Sequence, residues 1–321
     1  MNRILLWAAV AALATSSALP AATSLPYGRE PGQVAFLNAA TAEGYVGTPL
    51  PLGPQAFRVA GADTWIADSL QGRILRVDAT GKVTATLQVV PKGTPAMLGD
   101  LAVVRDGKGN TTGLWTVNRH TQEVTLISPE GKVVRTVTHT PGFLDVLRLE
   151  AGPSGNLYVG DQGHGKVFVF GPDGKPVRDL PWTGGGFCLD AAERLHLLTW
   201  DQSAGKGSLA SFDPAGKPLG EKPLQMALPG QPQVWAVTPA GEVVVTFAKE
   251  GLPPGTRQLA RFKLTGEVVA AQEIPVPDGM NRFLDLAGDG SLWLGQADFD
   301  AAPQGSFSVV PLVFTAGNPQ G

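Results

Sequence analysis

Asp68, Asp161, Asp201 and Asp298 each end an apolar stretch, in WIAD, LYVGD, LLTWD and LGQAD, and Asn118 takes the same place in LWTVN. Arg119 and His120 follow one of them, and Gln162 and His164 another; Gln202 follows Asp201. Carboxylates, amides and imidazoles on successive loops can hold a divalent cation, move a proton or grip a polar ligand. Recurrence favours a plainer role. A short carboxylate accepts backbone N–H groups two or three residues on, in an Asx-type turn, and a structural need recurs with the unit while a catalytic need does not. The chain has four histidines and no H-x-H or H-E-x-x-H spacing, which gives a histidine metal centre little support. No G-x-x-x-x-G-K-[ST] loop, no strand-to-helix G-x-G-x-x-G and no G-x-S-x-G elbow is present, so nucleotide binding and serine catalysis lose their usual carriers. The one cysteine, Cys188 in GGFCLDAAERLHLL, reads as a small buried hydrophobe on an inner strand.

What must position these residues is a repeat. RVDATGKV at 76–83, LISPEGKV at 126–133, VFGPDGKP at 169–176, SFDPAGKP at 211–218 and RFKLTGEV at 261–268 each read as strand, tight turn and strand. The turn closes on Gly81, Gly131, Gly174, Gly216 and Gly266, where positive φ carries no Cβ penalty. A second hairpin precedes each, so every unit holds about four strands, and a sixth copy at 283–298 lacks its fourth. Units of this length and strand content are propeller blades, because one blade cannot bury both faces alone. The expected fold is all-β: a six-bladed β-propeller of four-stranded antiparallel blades, its last blade completed from the N-terminal side by QVAFLN at 33–38. Residues 23–321 form a single domain on this reading.

WIADSLQGRILRVDATGKV and LYVGDQGHGKVFVFGPDGKPV resemble NHL repeats, in which an apolar strand ends in Asp, a polar turn follows, and a second strand runs into a D-x-x-G-K type turn. The resemblance spans roughly residues 54–300 and implies a scaffold more than an activity. A WD-type reading has only Trp200-Asp201 in its favour. In overall shape the chain is also distantly similar to the gluconolactonase and senescence-marker type. That likeness implies a metal-dependent lactone or ester hydrolase, with a carboxylate- and amide-bound divalent metal such as calcium polarising the carbonyl. The early E-G-P and later N-G segments of that type are absent here: LGPQAF at 52–57 has no Glu, and Arg282 stands where Gly is expected in MNRF. If a metal binds, Asp100, Asp145 and Asn281 are its candidates; otherwise no cofactor is expected.

With strands A to D counted from the axis outward, the B–C loops and D–A connections share one face, and the A–B and C–D turns share the other. The first face collects the ligand-binding candidates Asp68, Asn118, Arg119, His120, Asp161, His164, Trp182, Asp201 and Arg282, with His139 nearby. Trp182, in DLPWTGGGF, can stack on a ligand at the channel mouth or wedge between blades. Trp65, Trp115, Trp235 and Trp293 read as packing between blades.

The N-terminus has the form of a secretion signal: Arg3, the apolar run Ile4 to Ala14, then small residues with cleavage after Ala18 or Ala22. That run is about half of the ~20 residues needed to span a bilayer, so the mature chain is expected to have no membrane span. The destination is then the periplasm or the exterior. The 321 residues carry a formal charge of −3, one unit more negative once Arg3 is removed, and no Lys/Arg run, which argues against nucleic acid. A secreted or periplasmic scaffold that binds a protein, glycan or small molecule through the B–C/D–A face is the expected function, with the hydrolase as its rival.

Overall fold

In a computed structural model, residues 22–37, 52–277, 279–297 and 304–314 are described. They form six four-stranded antiparallel sheets, and the sole helix among them is one 3-10 turn, Ser69–Gln71. Strands A are Ala56–Ala60, Leu98–Arg105, Val146–Ala151, Phe187–Leu189, Gly230–Val237 and Leu284–Leu286. Each A strand touches those of its two neighbours, and the sixth touches the first, so they close a ring around an axis. This is the six-bladed propeller that the repeat predicts.

The C–D turns follow the sequence reading. Gly81, Gly131, Gly174, Gly216 and Gly266 all have φ between 80° and 91°. A Cβ at Gly266 would lie 2.0 Å from the Pro223 carbonyl oxygen of the preceding blade, so there both conformation and space demand glycine. Arg135 and Arg178, each on strand D, donate to the Pro172 and Pro214 carbonyls in the C–D turn of the next blade.

Apolar side chains pack between adjacent blades. Trp65, Ile74 and Leu87 of blade one meet Leu98, Leu101 and Ile127 of blade two, and comparable clusters fill the other junctions. The largest joins blades five, six and one through Trp235, Phe283, Trp293 and Phe57. Burying one such side chain is worth about 1.5–3 kcal/mol, and this packing holds the ring. The four tryptophans expected between blades are all buried, at 1–3% exposure.

Ring closure does come from the N-terminal side, but by a different segment from the one expected. Thr23–Pro26 is the outer strand of blade six, with Thr23 opposite Val309 and Leu25 opposite Phe307. It alternates buried and exposed, as an outer strand should. Of the QVAFLN segment, Val34, Ala35 and Phe36 are buried without forming a ladder strand, and Phe36 stacks on Tyr27 at 4.4 Å between ring centres; Asn38 lies outside the described residues. Its hydrophobicity signals burial, and the chain supplies that burial by folding back after Pro31 and Gly32.

Candidate functional site

Alternation along strand A turns every second side chain toward the axis, where an apolar strand can place a charge only if the opposite blades answer it. Six charges from four blades do so. Arg58 donates to Asp285 at 2.8 Å, to Glu150 at 2.6 Å, and to the Leu101 and Leu149 carbonyls. Arg282 grips Asp100 through two bonds of 2.5 and 2.8 Å and reaches Glu150 at 3.0 Å. Asp285 accepts the Val59 N–H, and Asp100 accepts that of Leu149. Arg148, 4% exposed, lays its guanidinium 4.4 Å from the centre of the Trp235 ring, and its Nη1 is buried without a hydrogen-bond partner.

These contacts set the charge states. Burial would raise the Asp100 carboxyl, but Arg282, aided by Arg148 and Arg58, holds it below the usual range. Burial would lower Arg282, and Asp100 and Glu150 instead raise it. For Arg148 burial wins, reinforced by Arg282, and its pKa falls to about 9. Burial raises the Cys188 thiol, which suits the inert role read from the sequence.

Beside this layer, on the face of the A–B turns, lies a cavity of about 880 Å³. Arg58, Glu150 and Asp285 form its charged wall toward the axis. Val103, Ala151, Leu189, Val237 and Leu286, each from the second half of an A strand, give it aliphatic surface, while Val59 of blade one, 1% exposed, packs into the core beside it. Arg105 and Arg194 add guanidinium groups to the lining. An aliphatic ring with a few convergent polar groups is the usual make-up of a small-molecule site.

The residues singled out on the opposite face are mostly engaged in structure. Asp68 is fully buried, accepting the Ala35 N–H at 3.0 Å and Arg73 at 2.7 Å; burial nevertheless raises its carboxyl. Asp161 takes the N–H groups of Leu144, Asp145 and Gly163 and bonds His164 Nδ1 at 2.8 Å. Asn118 accepts from Met97 and His120 and donates to the Pro95 carbonyl, and Asp201 closes an exposed turn on Ser203 and Ala204. The Asx-type turn anticipated for the recurring carboxylate is therefore present at Asp161 and Asp201. Asp298 lies outside the described residues.

Trp182 is buried between blades three and four, edge-on to Phe187 and against Gly160, and does not line the channel. Arg282 sits in the axial core. Arg119, His120, His164 and Asp145 remain at least partly accessible, with Arg119 and Asp145 paired at 2.9 Å and the His139 and His164 rings 5.3 Å apart. Asp100, Asp145 and Asn281 are each engaged by groups of the protein. A guanidinium occupies both Asp100 oxygens, Asp145 faces Arg119, and the Asn281 amide N–H donates to the Gly99 and Leu147 carbonyls.

The residues that sequence reasoning missed are Arg58, Arg105, Arg148, Glu150, Arg194 and Asp285. The available signal was a charge set inside an innermost apolar strand, as in FRV, VLRLE and LDL.

No protein-family model and no curated protein sequence matches the chain. Solved structures do match in fold. A virginiamycin B lyase from Staphylococcus aureus with quinupristin aligns at TM-score 0.56 and 14% identity, over 81% of this chain and 95% of that one. The Kuenenia stuttgartiensis hydrazine synthase aligns at 0.55 and 17%, over 81% and 80%. A nidogen/laminin complex aligns at 0.50 and 15%, over 70% and 80%. Identities this low speak to the fold alone: enzymes and a protein-binding assembly share the architecture, and the site must argue for the function.

Proposed function

We propose that this chain is an exported propeller that binds a small molecule in the cavity on its A–B face. The single observation carrying this reading is the axial cavity, ringed by aliphatic residues from five blades and backed by the Arg58–Glu150–Asp285 cluster. Such a wall is preorganised, since its charges already hold each other in place before a ligand arrives. The seat thus moves from the B–C/D–A face expected from sequence to the opposite one, because on the former the carboxylates and amides serve turns and blade contacts. Export rests on the N-terminal signal pattern, and the first ladder residue, Thr23, follows directly on Ala22, so cleavage there leaves the closing strand whole.

The test is a thermal-shift screen of small metabolites on the mature protein and on Val237→Trp, which sets an indole into the aliphatic part of the cavity. Ligands that raise the melting temperature of the parent and not of the variant support the reading; ligands acting equally on both refute it. Mass analysis of the secreted or periplasmic product should show loss of residues 1–18 or 1–22, and an intact N-terminus would refute export with cleavage.

A further inference from the structure

The cavity's charges are not equally occupied. Glu150 and Asp285 neutralise Arg58, and Asp190 holds Arg194 at 2.5 Å. Asp106 is consumed by its own turn, accepting the N–H groups of Lys108 and Asn110 at 2.9 Å and the Asn110 amide at 3.0 Å. Among the lining arginines Arg105 alone has no carboxylate partner among the described residues: Nη2 donates to the Val59 carbonyl at 3.2 Å, and no ion pair forms. Its guanidinium lies across the wall, reaching from blade two past blade one to blade six, where a Cβ on Gly288 would stand 3.0 Å from Nη1. Desolvation lowers its pKa, Asp285 opposes that and Arg58 adds to it, while the residue stays exposed at the cavity and open to a ligand. Arg105 is thus the one arginine of the lining that a ligand can pair with, and such a ligand is an anion.

We propose that the cavity seats an amphiphile bearing one anionic group, a carboxylate or sulfonate, bonded by Arg105, with its apolar body against Val103, Ala151, Leu189, Val237 and Leu286. This rests on the reading of the cavity as the ligand seat. A charge-assisted, forked contact from arginine fixes the head group, and the aliphatic ring accepts the body without directional demands.

Two dyes of matched shape test it on the mature protein: anilinonaphthalene sulfonate, an anion, and phenylnaphthylamine, its neutral counterpart. The sulfonate should saturate one site per chain and bind at least about tenfold more tightly than the neutral dye. Octanoate should displace it and octylamine should not. Arg105→Ala should bring the sulfonate's affinity down to that of the neutral dye with melting unchanged, Arg105→Lys should restore part of it, and Val237→Trp should weaken the binding of both dyes. Equal binding of the two dyes, or an Arg105→Ala variant that binds the sulfonate like the parent, overturns the anion assignment and leaves the cavity reading standing. Absence of saturable binding by either dye refutes the cavity as a seat, and the assignment with it.

Discussion

Arg282 and Asp100 are 182 residues apart in the chain, and their side chains, 1% and 0% exposed, meet through two hydrogen bonds across the propeller axis. Blade six is thereby tied to blade two, and through Glu150 to blade three. Because the same Glu150 receives Arg58, one connected network spans the centre of the ring. Buried ions of this kind specify which blades face one another more than they add net stability.

Removing one member should expose that balance. Arg282→Met leaves Asp100 buried without its partner and is expected to cost about 3–5 kcal/mol in urea unfolding. Arg282→Met combined with Asp100→Leu should recover a large part of the loss. Strictly additive losses in the double variant would show that the two residues do not act as a pair.

A second inter-blade tie depends on one carboxylate. Glu193, at φ 58° in the A–B turn of blade four, accepts the Ser154 N–H and hydroxyl and the Asn156 amide, each at 2.8 Å, and the Tyr158 hydroxyl at 3.1 Å. Burial and the nearby Glu193 charge raise the Tyr158 phenol well above its usual pKa. Glu193→Ala should lose about 2–3 kcal/mol in the same assay, since several donors lose an ionised acceptor at once. Tyr158→Phe, which removes one donor and leaves the carboxylate with three, should cost about 1 kcal/mol. A Glu193→Ala variant as stable as the parent would remove this tie from the list of what joins blades three and four.

Ring closure is open to truncation. A mature chain beginning at Tyr27 lacks the ladder of Thr23–Pro26 on Ser306–Leu312 and the Ser24–Ser308 hydroxyl contact at 3.0 Å. It should melt several degrees lower, with faster amide exchange confined at first to 306–312. Unchanged exchange there would mean that closure does not depend on this strand.

Acidification should act through His196, which is 2% exposed, with Nδ1 2.9 Å from Ser211 and Nε2 3.3 Å from Asp190, itself bonded to Arg194. Burial lowers its folded pKa below 6.5, although Asp190 opposes the shift. The unfolded imidazole therefore takes its proton first. The stability it contributes is complete above pH of about 6.5 and is lost as pH falls toward the folded value. His196→Gln should flatten the stability profile between about pH 7 and 5. A slope unchanged by this substitution would exclude the histidine as its source.

The turns were legible because their chemistry is local: glycine at a positive φ and a carboxylate two residues before an N–H announce themselves in a short window. Trp182 was ambiguous because a tryptophan beside three glycines fits a channel mouth and a blade junction equally, and only the position of Gly160 and Phe187 decides between them. The closing strand went unread for a related reason. TSLP is short and only half apolar, and nothing within it shows that Phe307 waits 282 residues beyond Leu25 and Val309 waits 286 beyond Thr23.

From the sequence alone came the number of blades and their hairpins, since each follows from a pattern that repeats within about fifty residues, and the need for a closing strand from the N-terminal side, since the last unit lacks its fourth; which segment closes was not read. Tertiary structure decided the site. Arg58, Asp100, Arg148, Glu150, Arg282 and Asp285 share no spacing and no motif, and they become neighbours because the ring brings the inner strands of four blades onto one axis. A charge within an apolar strand is costly by itself, and which distant residue answers it is settled only when the circle closes.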